Sequence, residues 1–443
     1  MKELVLVAFL QAQNCSNYPA SWRHPDAATD FLSAAYYQRI ARTLEDGRFQ
    51  LAFFDDRLAM PSSYNHTYAQ TVRYGIRAVK LDAATVLTTM GCVTTRLGLG
   101  ATYSTTYFEP FHVARVFGTL DALFAGRAAW NVVTSLNDSE AANFGREEHL
   151  AHDQRYDRAE EFMEIVTGHW RSWDPDAIAP DKARGTFADP EKVHQLDFRG
   201  TYLRSRGPFT IPPSAQGRPV IIQAGQSGRG RTFAARWAEL IFVIHPSRDA
   251  AARGYRDYKA AIAATGRDPD DVKIAPAIYV VPGATRAEAE EKFALIDGLA
   301  KPEDALELLS EVLNFDFGSK GLDEPLAQTD LDAMTGLRAI IDRVVEMSGK
   351  AFPTPRDFVR CSGRATVREF PTLVGTPSEI VDEMERWLEA PACDGFVIAA
   401  THVPGAYEDF VRLVVPELQR RGLTRPDYRG ATLRENLGIP LPA

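Results

Sequence analysis

The chain has 443 residues, 45% hydrophobic and 25% charged, the profile of a globular protein that can bury a large core. Its formal charge of −9 argues against a nucleic-acid surface, and its four scattered cysteines, Cys15, Cys92, Cys361 and Cys393, form no CxxC pair and define neither a zinc site nor a disulfide framework. The opening MKELVLVAFLQAQN has too short an apolar run for a secretory signal, and no later run approaches the roughly 20 apolar residues of a membrane span, so a cytoplasmic protein with a small-molecule partner is expected.

Short apolar runs alternate with helix-patterned stretches along the chain. A strand is predicted over Leu4 to Phe9, a helix over Asp30 to Glu45, and strands over Phe49 to Phe54 and Leu97 to Tyr103. A helix over Pro110 to Leu123, a strand over Ala128 to Val133 and a helix over Asp153 to Trp170 follow. The strands Val220 to Ala224 and Leu240 to Ile244 are each succeeded by a helix, Arg229 to Trp237 and Asp249 to Thr265. Ile274 to Val281, the helix Pro377 to Leu388, the strand Gly395 to Ala399 and the helix Tyr407 to Arg420 complete the series. Eight strands of this kind, joined by helices, predict a (β/α)8 barrel of the TIM type in one domain spanning 1–443. The alternative is an open doubly wound sheet, whose topological switch point cannot be located.

Three gaps exceed a plain crossover: 55–81, 136–219 and 282–394. The last is the candidate lid. Within it Asn314 to Gln328 reads as loop and Ala333 to Met347 has helical spacing.

Barrel chemistry sits just after the strands, so the residues there are the candidates. The first strand leads into Gln11, Asn14, Asn17 and Tyr18 and then Trp22, Arg23 and His24; the second ends at Asp55 and Asp56. The third offers Thr102, the fourth Asn131, the sixth His245 and the eighth His402. The set is rich in amides, hydroxyls and imidazoles and poor in metal-ligand spacing, and the nine histidines are scattered, so no metal site is expected. QAGQSGRGRTF, from Gln223 to Phe233, opens from a strand into a helix through small residues. It reads either as a phosphate cradle at a helix N-terminus or as a tight turn, and its glycine spacing is not that of a dinucleotide fingerprint. His152 and Tyr156 are four apart and can share one face of a helix, as phosphate or ring ligands or as solvated first-turn residues.

Taken together, SWRHP (Ser21 to Pro25), LAFFDD (Leu51 to Asp56), LGLGATYST (Leu97 to Thr105), EPFHVARVFGTLDALFAGRAAWNVVTS (Glu109 to Ser135), NFG (Asn143 to Gly145), HDQRYDRAEEF (His152 to Phe162), FRGTYLRSRGPF (Phe198 to Phe209) and QAGQSGRG (Gln223 to Gly230) resemble the luciferase-like flavin monooxygenases of the nitrilotriacetate monooxygenase component A type. The resemblance implies a luciferase-like barrel that takes reduced FMN from a separate NAD(P)H:FMN reductase. It further implies O2 as co-substrate, one oxygen atom entering a small organic substrate and C–N or C–S cleavage in some relatives. By the same resemblance Asp56, Thr102, His152, Tyr156 and Ser227 form the flavin site, with Asn131 and the Gly228 backbone as added contacts and the phosphate near Ser227, Gly228 and Tyr156. It also implies a homodimer or homotetramer, to which the Pro110 to Leu123 helix would contribute unless its apolar face is ordinary barrel packing.

Many relatives carry histidines just before the Trp-Arg-His-Pro stretch, where this chain has Asn17 and Tyr18. Those two and His24 are therefore the candidates for steering oxygen or substrate. Arg23, Arg57 and Arg73 are candidates for binding an anionic substrate or, equally, for surface ion pairs. Two other classes stay open: a deazaflavin-dependent dehydrogenase on the same barrel, and a flavin-binding protein without catalysis.

Overall fold

The computed structural model describes residues 3–146, 152–225 and 228–442, with the backbone alone at His152. Eight strands form its centre: β1 (Val5–Gln11), β2 (Leu51–Asp55), β3 (Gly98–Ser104), β4 (Ala128–Val133), β5 (Val220–Gln223), β6 (Leu240–Val243), β7 (Lys273–Pro282) and β8 (Gly395–Ala399). Each pairs in parallel with the next. The ring closes where β8 meets β1, with Gly395 opposite Val5 and Ala399 opposite Phe9. This closure removes the open-sheet alternative, and every expected strand lies within two residues of the observed one.

Strand side chains alternate between two faces, and both faces are buried here. Val7, Phe9, Leu51, Phe53, Ala129, Ile222, Leu240, Phe242, Ala277, Tyr279, Val397 and Ala399 pack inside the ring. Their neighbours, including Leu6, Ala8, Phe54, Leu99, Trp130, Val132 and Ile398, pack outward against the helices. Gly100 belongs to the inner set; a Cβ there would lie 3.3 Å from Ala129 Cβ and Ile222 Cδ1, so the interior is already filled. Below, the helix Leu433–Leu437 plugs the ring, its Leu433 and Leu437 joining the inner core.

The helices that wrap the ring include α1 (Ala34–Asp46), α2 (Ala83–Gly91), α3 (Pro110–Leu123), α4 (His152–Trp170), α5 (Gly228–Trp237) and α6 (Arg248–Ala264). Of these α2 was not expected: its sequence AATVLTTMG lacks polar alternation, and Asp82 caps it by accepting the Thr85 N–H. The apolar side of α3 packs within the chain: Val113, Ala114, Phe117 and Leu120 belong to the main core, and Trp170 of α4 donates to the Ala114 carbonyl at 3.1 Å.

Residues 136–219 hold α4 and two short antiparallel pairs, Ile178–Asp181 with Thr186–Ala188 and Phe198–Arg199 with Arg204–Ser205. Residues 282–394 hold α7 (Pro302–Leu313), shorter helices at Gln328–Ala333, Arg338–Ser348 and Pro355–Cys361, and α8 (Pro377–Glu389). A strand the sequence did not suggest, Thr372–Gly375, runs parallel to the end of β7, pairing with Tyr279 to Pro282 beyond the reach of β6. Helix α7 is buried from Asp304 to Leu313 and carries three carboxylates at positions 304, 307 and 311, a spacing that sets them on one face. The loop after β1 catches the first, and the 55–81 segment catches the other two. Arg23 grips Asp304 with two bonds, at 2.5 and 2.8 Å; Thr71 donates to Glu307 at 3.2 Å; Ser63 donates to Glu311 at 2.9 Å. Glu311 also accepts from Asn137 at 3.3 Å and from Ser139, so the 55–81, 136–219 and 282–394 segments are tied together above the barrel mouth.

Candidate active site

At the mouth the inward-facing positions turn from apolar to polar. Phe9, Phe53 and Phe242 form an aromatic floor, with ring centroids 5.1 to 6.2 Å apart. Gln11, Thr102 and Asn131 stand one or two positions further along β1, β3 and β4, and all three are buried. Thr102 donates its hydroxyl proton to the Phe54 carbonyl at 2.8 Å and accepts from Asn131 Nδ2 at 2.9 Å. Asn131 Oδ1 and both amide atoms of Gln11 are buried without a hydrogen-bond partner. Such orphaned groups cost on the order of 1–3 kcal/mol each unless something else satisfies them.

Asp56 follows β2, where its Oδ1 accepts the Arg57 N–H at 2.8 Å. Desolvation pushes its carboxyl up to about 7 against the pull of Lys80, and Asp55 beside it adds to the rise. Burial lowers Lys80 to about 8, with Arg77 pushing the same way.

Asn17 joins this region to the 282–394 segment. It donates to the Tyr279 hydroxyl at 3.3 Å and to Glu369 at 3.5 Å, while its carbonyl and Oδ1 both accept from Arg77 at 2.9 Å. Tyr18 has no exposed surface and donates to the Ile296 carbonyl at 2.8 Å; burial, with Asp304 and Asp297 nearby, raises its phenol well above the ordinary value. His24 stacks on His402 at 3.7 Å and 6° and accepts the Asp26 N–H at 3.1 Å, and burial lowers its pKa. The two imidazoles line a cavity of about 320 Å³ that includes none of Gln11, Thr102 and Asn131. Arg23 is committed to Asp304, and Arg73 is exposed.

Ser227 and the side chain of His152 lie outside the described residues. Tyr156 is buried against Phe233 of α5, ring centroids 5.7 Å apart and planes inclined at 65°. It therefore stands beside the helix that begins at Gly228. Among the described residues, a Cβ added at Gly228 would meet nothing within 4 Å. The first-turn N–H groups of a helix have no intrahelical acceptors and carry a positive dipole end.

The flavin implied by the sequence resemblance fits this arrangement. The unpartnered Gln11 amide and Asn131 Oδ1 above an aromatic floor suit a planar ring with polar edges, and the first-turn N–H groups of α5 suit its phosphate. Among the described residues no group of three or more His, Cys, Asp or Glu is placed to hold a metal ion. No described helix is long and apolar enough to cross a membrane.

A closed parallel barrel with a polar, inward-facing site at the carboxyl ends of its strands is the architecture of TIM-barrel enzymes. The chain matches the family model described as luciferase-like monooxygenase over residues 15–394, and it belongs to that family as a flavin-dependent monooxygenase. It is 46% identical over 449 residues to dibenzothiophene-sulfone monooxygenase of Rhodococcus erythropolis, covering 100% of this chain and 98% of the relative. It is 40% identical over 443 residues to N-acetyl-S-(2-succino)cysteine monooxygenase of Bacillus subtilis (strain 168), with 100% and 98% covered. The structure of riboflavin lyase with modified FMN and the substrate riboflavin superposes with a TM-score of 0.88 at 33% identity, covering 99% of this chain and 97% of that one.

Sequence reasoning passed over Arg77, Lys80, Tyr279 and Glu369. Tyr279 and Glu369 reach Asn17 across 262 and 352 residues of chain, a distance that local pattern cannot bridge. A Lys or Arg in a polar loop carries no mark of burial in one sequence.

Proposed function

We propose that this protein is the oxygenating component of a two-component system, taking reduced FMN from a separate NAD(P)H:FMN reductase and using O2 to oxygenate a small organic substrate, with C–S or C–N cleavage as the expected outcome. The observation that carries the reading is the set of unpartnered buried amide atoms on Gln11 and Asn131 above the Phe9, Phe53 and Phe242 floor. The supply of reduced flavin by another protein rests on the family resemblance.

Bound reduced FMN supplies the electrons that activate O2, one atom of which enters the substrate while the other leaves as water. The chain's own residues orient and shield. Asn131 Oδ1 accepts and the Gln11 amide donates or accepts at the ring edge, with Thr102 holding the Asn131 amide in place. The aromatic floor excludes water from below. By the family resemblance Tyr156, Ser227 and the Gly228 backbone would hold the phosphate, with His152 completing the flavin site and Asp56 serving the ring and its chain. Asn17, fixed by Arg77, borders the substrate side. Residues 282–394, tied down through Asp304, Glu307 and Glu311, act as the cover over the mouth.

The test is a coupled reaction of the purified protein with FMN, NADH, a flavin reductase and 18O2, run on thioether, sulfone and tertiary-amine substrates. One labelled oxygen atom in the product, dependent on both flavin and O2, is the expected result. Hydride transfer without O2, or preferential use of a deazaflavin, would overturn the reading.

A further inference from the structure

A small cavity beside the mouth is lined by four cations, Arg57, Arg77, Lys80 and Arg364, and only two carboxylates, Glu140 and Glu311. Its volume is about 20 Å³, enough for one water-sized group such as a single oxygen of an oxyanion. Among the described residues neither carboxylate is in contact with a cation, although against burial both, after Asp55, raise the pKa of Arg57 through space. Glu140 Oε1 accepts the Leu58 N–H at 3.0 Å, leaving Oε2 without a hydrogen bond. Glu311 accepts from the Ser62 N–H, Ser63, Asn137 and Ser139. Arg364 is paired with Glu369.

Among the described residues the other cations have no such partner. Arg77 is 4% exposed, yet its guanidinium meets only the neutral oxygens of Asn17, and its Nε is buried without an acceptor. Arg57 reaches only the Asn137 amide oxygen, at 3.4 Å. Among the described residues no ion pair within 4.0 Å joins Arg57, Arg77 or Lys80 to a carboxylate. A buried guanidinium balanced only by amide oxygens is expensive, because the loss of hydration is not offset by an opposite charge in contact. Asp55 and Asp56 stand nearby but out of contact, and the raised pKa of Asp56 leaves it only partly ionised near neutrality.

We infer that Arg77 and Lys80, with Arg57 at the rim, form a subsite for a carboxylate or sulfonate group on the organic substrate. This deepens the proposed function and rests on it, since the subsite adjoins the mouth through Asn17, which Arg77 holds and which the substrate would face. An oxyanion between Arg77 Nε and the Lys80 ammonium would give the orphaned donor an acceptor and both cations a counter-charge. The flavin phosphate is the other possible source of the same chemistry, and the test separates the two.

N-acetyl-S-(2-succino)cysteine, succinate and methanesulfonate serve as anionic probes and dibenzothiophene sulfone as the neutral one, each titrated calorimetrically into the protein. Lys80→Met is the primary variant, because Lys80 makes no side-chain hydrogen bond or ion pair among the described residues; Arg77→Met is the second, with circular dichroism verifying its fold. At least one anionic probe should bind the wild type, and Lys80→Met should weaken it on the order of thirtyfold or more, with reduced FMN affinity unchanged. Absence of binding by all three anions, unchanged anion affinity in Lys80→Met, or a loss of FMN affinity in place of probe affinity would overturn the inference. Lys80-dependent binding without oxygen transfer to any substrate would break the proposed function and leave the subsite. Oxygen transfer without Lys80-dependent binding would break the subsite alone.

Discussion

Asn131 donates to Thr102 across two neighbouring strands at 2.9 Å, and because Thr102 gives its own proton to Phe54, the Asn131 carbonyl oxygen is left buried and unpartnered. Replacing Asn131 with Ala removes an acceptor that stands at the mouth, as the Gln11 amide does. Reduced FMN should then bind about tenfold more weakly, as expected for a lost buried hydrogen bond. Anaerobic fluorescence titration measures this; unchanged affinity would take Asn131 out of the flavin site.

At the opposite end of the barrel, Glu239 is buried between Arg434, 2.7 Å away, and Arg218, 3.0 Å away. Burial alone would raise its carboxyl pKa, but the two guanidiniums outweigh it and hold the value below the usual glutamate range. Its contribution to stability is therefore present above the unfolded value of about 4.3 and is lost as pH falls through the folded value. Glu239→Gln should destabilise the fold by about 3–5 kcal/mol at neutral pH, read as a shift in the urea midpoint. The gap between variant and wild type should narrow in acid.

The sign reverses for Asp56, whose folded value near 7 lies above the unfolded value of about 3.9. The folded chain holds this proton more tightly, so ionisation opposes folding and stability falls as pH rises across that window. Asp56→Asn mimics the protonated form at every pH. It should gain stability over the wild type progressively from about pH 4 to 7 and by a constant amount above, in urea denaturation run at several pH values. A variant that tracks the wild type at every pH would show that Asp56 is not desolvated.

Arg23 lies in the motif singled out for catalysis, yet its guanidinium clasps the buried Asp304 and also reaches the Leu299 and Tyr74 carbonyls. Arg23→Met leaves that carboxylate buried without its cation. Amide exchange should accelerate across 299–313, with little change in β1 to β4. Uniform protection in both proteins would mean that the cover is anchored elsewhere.

The barrel was legible because strands buried on both faces read as nearly unbroken apolar runs, as in AAWNVV and GFVIA, whose bounds agree with the observed β4 and β8. The strand Thr372–Gly375 escaped notice because three of its four residues are only partly buried and it lies within polar text. Helix α7 was equally hidden: acids at 304, 307 and 311 suggest a solvated stripe, whereas loops from distant parts of the chain bury them. At the site, Thr102 and Asn131 could be read because they end recognisable strands. Arg77 and Lys80 could not, since whether a cation in a loop is solvated or enclosed depends on residues up to a few hundred positions away.

The plug at Leu433–Leu437 has a consequence for biosynthesis. All eight strands leave the ribosome before the segment that seals their interior, so the nascent barrel has an uncovered base until residues 433–437 emerge. During that interval Val5, Leu51 and Leu240 belong to a surface that other chains can bind, and chaperone capture is favoured until the 433–437 helix docks.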